Sequence, residues 1–187
     1  CIRVALGVFV VYETGAHQYL QYPFGRQRQI CIRDGPGTRR YADHAIKALT
    51  NYFTDPVNGG MWFAIKPEPD EDGHGVPWDE ASRVKSQYHT VYALLGVAAA
   101  TVADRPGAHE LLNRMLEEQK ELWTDDYGRV WDEYDEAFSG ALPVHTLGTL
   151  IHTIEAYMAA AEATTEPEGL DRAEKMAAFA YKVASKS

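Results

Sequence analysis

The chain has 187 residues, of which 45% are hydrophobic and 24% charged, a globular composition on a chain long enough to bury a core. Its formal net charge of −9 argues against a nucleic-acid partner, because phosphate binding needs clustered Lys and Arg. Cys1 and Cys31 make neither a disulfide framework nor a metal-ligand spacing, so a reducing cytoplasm is the expected compartment.

The first apolar run, Val4 to Tyr12, is too short to span a bilayer, and no Met start or A-x-A site marks it as a signal sequence. Residues 14–35 read "TGAHQYLQYPFGRQRQICIRDG". Pro23 and Gly25 break the stretch, and its second half carries no helical apolar stripe. Residues 1–35 are therefore left unassigned, either as an unusual terminal cap or as the product of a reading-frame error upstream of Pro36. Residues 36–187 form one domain.

A repeat organises that domain. "PGTRRYADHAIKALTNYFTD", Pro36 to Asp55, and "PGAHELLNRMLEEQKELWTD", Pro106 to Asp125, both open on Pro-Gly and close on aromatic-Thr-Asp, offset by 70 residues. Each reads as an amphipathic helix, with Tyr41, Ala45, Leu49 and Tyr52 as the apolar stripe of the first and Leu111, Met115 and Leu122 of the second. Val84–Ala103 and Val144–Thr164 are Ala-rich helices, apolar on most sides and so expected to be buried. A further helix starts at Leu170. The unit is a hairpin of one buried and one amphipathic helix. The fold class is all-α, with hairpins stacked as an open solenoid or a closed double ring. A third unit would need its aromatic-Thr-Asp soon after Ser185, so the chain is expected to be part of something longer, with the apolar flanks of both Ala-rich helices uncovered.

"IHTIEAYMAAAEAT", Ile151 to Thr164, with "LDRAEKMA" behind it, resembles the M-H-x-x-E-A segment and following L-x-R-A of the N-acylglucosamine 2-epimerase family. "DPVNGGMWFAI" resembles that family's D-P-x-x-G-G turn, "KSQYHTVYALLGVAAAT" its K-x-x-Y helix, and "LWTDDYGRVWDEYDEAF" its F-W-D-x-x-G-x-x-x-E segment. The resemblance covers about residues 36 to 185. It implies an (α/α)6 barrel, of which this chain supplies about two and a half hairpins. It further implies a sugar isomerase or 2-epimerase that moves a proton at C2 without a cofactor. The substrate is then a small sugar, with neither nucleic acid nor membrane as partner, and a homodimer of the full-length parent is compatible. Two departures stand out. Gly148 replaces the family's Asn four residues before the histidine, and His89 follows Tyr88 directly where the family places a histidine two residues on.

His152 and Glu155 share a helical stripe with Gly148 and Ala159, while Leu147, Leu150, Ile151, Ile154 and Met158 lie on the other side. Periodicity alone makes that stripe a solvent face. The buried position of the helix, together with the resemblance, turns it toward a central cavity. His152 is then the acid–base residue, since imidazole titrates near neutrality, and Glu155 orients it or tunes its basicity. Tyr88, Trp62 and Trp131 are the candidate sugar contacts, although aromatics such as these and Phe63 also serve as core. His145, His152 and Glu155 are too few for a metal site. Asp132, Glu133 and Asp135 read as a solvated acidic loop. They would matter in a rival reading, a six-hairpin glycoside hydrolase with paired carboxylates. A non-catalytic helical-repeat interaction module is the other rival.

Overall fold

The computed structural model describes residues 2–3, 36–124, 130–142 and 146–184. Cys1, Cys31, His145 and most of the unassigned N-terminal stretch lie outside them. Among the described residues, five α-helices carry the structure: α1 (Pro36–Ala48), α2 (Gln87–Val102), α3 (Ala108–Glu121), α4 (Leu147–Thr164) and α5 (Glu168–Ala184). Four two-residue strands among those residues punctuate them. β1 (Ile2–Arg3) pairs antiparallel with β2 (Ala64–Ile65), and β3 (Lys85–Ser86) pairs antiparallel with β4 (Glu133–Tyr134). Among the described residues, no helix is long and apolar enough to cross a membrane.

The hairpin unit holds. α2 packs against α3, α4 packs against α5, and the two Ala-rich helices α2 and α4 pack against each other. Alanine at Ala93, Ala98, Ala100, Ala156 and Ala160 permits that approach, and all five are buried. One core joins Ile46, Leu49 and Phe53 to Leu94 and Val97 of α2, Leu112 and Met115 of α3, and Ala156 of α4. A smaller one joins Tyr157 of α4 to Ala173 and Met176 of α5.

The Pro-Gly and aromatic-Thr-Asp signatures have physical roles. Gly107 caps α3 at φ 76°, a left-handed conformation that glycine adopts freely. At the other end, Thr54 Oγ1 donates to Leu49 O at 2.9 Å and Thr124 Oγ1 donates to Gln119 O at 2.7 Å. Both bonds reach back five residues, and donor and acceptor are each displaced by the same 70 positions as the repeat. The threonine hydroxyl thus satisfies a helix-terminal carbonyl in both units. The first helix ends in a π turn, Leu49–Phe53, that continues α1.

Two expectations need correction. The buried stripe of the first helix is Ala42, Ala45, Ile46, Leu49 and Phe53, whereas Tyr41 is 61% exposed and Tyr52 40%. Aromatic rings at helical spacing mimic a core face that smaller neighbours in fact provide. The two Ala-rich helices also differ. α2 is covered on almost every side, but Leu147, Ile151 and Met158 of α4 are all more than half exposed. The face of α4 that meets the core is Thr149, Thr153, Ala156, Tyr157 and Ala160.

A buried ion pair anchors the turn before α2. Lys85 Nζ lies 2.7 Å from Asp55 Oδ2, and both side chains are essentially inaccessible. The ammonium sits 5.2 Å from the Trp62 ring centroid and 5.8 Å from that of Phe138. Burial pushes the Asp55 carboxyl up, but Lys85, the Val57 and Asn58 N–H groups and the Asn58 amide outweigh it, leaving the pKa below the usual carboxylate value. At Lys85 burial dominates over Asp55 and lowers the pKa from the usual lysine value. Nearby, Gly75 lets the following loop touch the helix, since a Cβ there would sit 1.9 Å from the Tyr52 carbonyl oxygen. Replacing Lys85 by Met should leave Asp55 charged and unpaired in the core, costing about 3–5 kcal/mol at neutral pH. The gap to wild type in urea unfolding should narrow below about pH 4. The Asp55 contribution is fully present above its unfolded pKa and lost as pH falls through the depressed folded one.

Candidate functional site

The site is built where α2 and α4 begin. Asp132, just before β4, holds both starts. Its carbonyl accepts from Gln87 N at 2.8 Å, and its carboxylate accepts from Thr146 N at 2.9 Å. Gln87 opens α2, and Thr146 is the N-cap of α4, its hydroxyl accepting from Thr149 N at 3.2 Å. One acidic residue therefore sets where Tyr88, one position into α2, meets His152, five positions into α4.

His152 contacts three side chains. Its Nε2 lies 2.8 Å from Tyr92 Oη, and its Nδ1 lies 3.4 Å from Glu155 Oε2, a long contact. Tyr88 meets the ring edge-on, with centroids 5.6 Å apart, and Tyr92 lies against it at 4.8 Å. Tyr88 and Tyr92 also touch each other at 5.0 Å, as residues one helical turn apart do. A second imidazole adjoins them. His89 stacks on Phe63 at 4.8 Å, packs edge-on against Tyr88 at 5.6 Å, and places Nδ1 2.8 Å from Ser86 Oγ. The expected pairing of His152 with Glu155 is present, and Tyr88 joins it. His152 is partly exposed and Glu155 more so.

Tyr92 was not legible as a site residue, although its spacing of four from Tyr88 places both on one face of α2. Trp62 is buried against Lys85, and Trp131 is half-buried and next to Asp132 in the chain. The acidic loop is not simply solvated. Asp132 is 7% exposed and committed to two helix starts. Glu133 pairs with Ser86 in the β3–β4 ladder. Asp135 accepts from the Ser139 N–H and hydroxyl, and the hydroxyl bond holds its pKa below the usual carboxylate value. The carboxylates of Asp132 and Asp135 are thus both committed to hydrogen bonds within the fold. At Gly148, a Cβ would meet only the Thr146 hydroxyl, at 4.0 Å. Among the described residues, no group of three or more His, Cys, Asp or Glu side chains is placed to hold a metal ion.

The sequence model of the N-acylglucosamine 2-epimerase (GlcNAc 2-epimerase) family matches residues 28–187. The chain belongs to that family. It is 30% identical over 169 residues to a D-mannose isomerase of Thermobifida fusca, covering 89% of this chain and 39% of that protein. A D-mannose isomerase of Pseudomonas cannabina pv. alisalensis is 30% identical over 139 residues, covering 74% of this chain and 31% of that protein. The solved cellobiose 2-epimerase of Spirochaeta thermophila DSM 6192 superposes with a TM-score of 0.66 at 22% identity, covering 81% of this chain and 39% of that one. The fold is accordingly part of an (α/α)6 barrel. The chain spans about two fifths of the length of the first of these relatives.

Asp132→Ala should unlatch the start of α4 by leaving the Thr146 N–H unpaired. The expected cost is about 1–3 kcal/mol. Thermal melting would register it, and a melt identical to wild type would show that Asp132 does not hold the site together.

Proposed function

We propose that the complete protein is a sugar isomerase acting by proton transfer at C2 of a free aldose, with His152 as an acid–base group. The observation that carries this reading is the His152 imidazole held between Glu155 and Tyr92 beside Tyr88. Removing a proton from carbon next to an aldehyde needs a base that titrates near neutrality and a partner for the charge it gains. Imidazole supplies the first and Glu155 the second. The two relatives named D-mannose isomerase favour conversion of a free hexose to its ketose over 2-epimerisation. No cofactor is needed for the step. The use of only two cysteines supports a cytoplasmic setting.

In the complete protein, substrate turned over in heavy water should gain deuterium at the reacting carbon. His152→Asn keeps the approximate shape but removes the base, so turnover should fall by about a hundred- to ten-thousandfold with an unchanged melt. Glu155→Gln should cost less, because it tunes the ring without moving the substrate proton. Near-normal turnover in His152→Asn would sink the reading.

A further inference from the structure

A polar cavity of about 420 Å³ lies at the end of the first repeat, and its lining includes no residue of the His152 cluster. Its walls are Thr50, Asn51 and Tyr52 of the π turn, Asp72 and His74 of the following loop, and Arg114 of α3. Both walls are held by the fold itself. Gly75 brings the loop against the Tyr52 carbonyl, too close for a Cβ. The loop tip closes on Asp70, whose Oδ1 accepts from Asp72 N at 3.1 Å and His74 N at 2.7 Å. On the other wall, Arg114 Nη2 donates to Thr54 Oγ1 at 2.7 Å, and that hydroxyl donates in turn to Leu49 O. The guanidinium is thereby fixed to the helix terminator.

Arg114 brings more charge than its neighbours use. A guanidinium has five N–H donors, and the Thr54 hydroxyl takes one of them. Its Nε is shut off from solvent with no hydrogen-bond partner among the described residues, and the Glu118 carboxylate stands 4.0 Å away. Burial pushes the Glu118 pKa up against the pull of Arg114, which makes this carboxylate a weak counter-ion. The arginine side chain remains 38% exposed where it lines the cavity. His74 can carry a second positive charge in the same space, and Asp72 carries a negative one.

We propose that this cavity binds a phosphorylated monosaccharide, with the phosphate on Arg114 and His74 and the sugar hydroxyls on Asp72 and Asn51. A guanidinium matches phosphate oxygens with paired N–H donors. A phosphate monoester carries a charge of about −1.5 to −2 at neutral pH and uses two basic groups, where a single carboxylate uses one. Asp72 repels a bare anion but accepts from hydroxyls, so the lining suits a ligand that has both. The exposed Tyr52 ring offers an apolar face to a sugar ring. The volume falls at the small end of ligand cavities, roughly 300–1,000 Å³, and suits one ring with its phosphate. This is a second site, separate from the proposed reacting centre at His152.

The test is titration calorimetry on the complete protein that carries these residues, with glucose 6-phosphate and inorganic phosphate as probes. Glucose 6-phosphate should bind, and more tightly than inorganic phosphate. Arg114→Gln removes the charge and should weaken that binding by at least about tenfold. Because Arg114 also holds Thr54, a second variant guards against a disturbed fold. Asn51→Asp places a negative charge on an exposed wall of the cavity, and should weaken binding with the melting temperature unchanged. His152→Asn should bind glucose 6-phosphate as wild type does, which separates this cavity from the reacting centre. Binding that survives both cavity variants, or that is lost in His152→Asn, would overturn the proposal. So would inorganic phosphate binding as tightly as the sugar phosphate, or no binding of glucose 6-phosphate at millimolar concentration.

Discussion

Gln87 is the joint on which the helical frame turns. Its backbone N–H is bonded to the Asp132 carbonyl, and its buried side-chain amide faces that of Gln119 in a reciprocal pair, with contacts of 2.6 and 3.0 Å. Tyr157 Oη donates to Gln119 Oε1 at 3.5 Å, and Arg172 Nη1 donates to Tyr157 Oη at 3.3 Å. The chain of contacts takes one side chain from each of α2, α3, α4 and α5. Burying two amides costs free energy unless every polar atom finds a partner, and here the two satisfy each other. Such a pair tolerates little sliding. The crossing of the two hairpins is thereby fixed at the level of the first residue of α2, next to Tyr88.

That location explains why the site forms where it does. The same residue that locks α2 to α3 also ties α2 to Asp132, and through Asp132 to the N-cap of α4. Helix starts are where backbone N–H groups lack partners, so they can be set by an outside acceptor in a way that helix middles cannot. Once the two starts are fixed, the next turns of α2 and α4 bring Tyr88 and Tyr92 against His152. Burial pushes the pKa of Tyr157 up, with Arg172 pulling against it. The link between the helices is thus a neutral hydroxyl.

The helices, their pairing and the family were legible because they are carried by local signals: Pro-Gly starts, Ala-rich apolar runs and a motif at each hairpin. His152, Glu155 and Tyr88 were candidates because of the family resemblance and the buried position expected of their helices; helical spacing alone made the His152–Glu155 stripe a solvent face. What the chain could not reveal depended on contacts distant in sequence. Tyr92 is sixty positions from His152, and nothing local marks it. Trp62 was read as a sugar contact because it follows a glycine turn, and its place is set by the Lys85 ammonium 5.2 Å from its ring. Asp132 looked like one of several surface acids until the two helix starts it serves were seen. Tyr41 and Tyr52 fitted an apolar stripe by spacing, yet Ala42 and Ile46 fill the core in their place.

The paired threonine bonds, Thr54 to Leu49 and Thr124 to Gln119, lie wholly within the end of one helix. Each unit therefore brings its own terminator and borrows nothing from its neighbour to stop the helix. A gene segment encoding one hairpin can be copied in tandem and yield a second helix that ends in the right place before any new contact between units has evolved. Divergence of the interior residues could then follow at leisure, with length held constant. Toroids of this kind can thus lengthen by duplication while the identity between copies survives mainly at the two ends of the repeat.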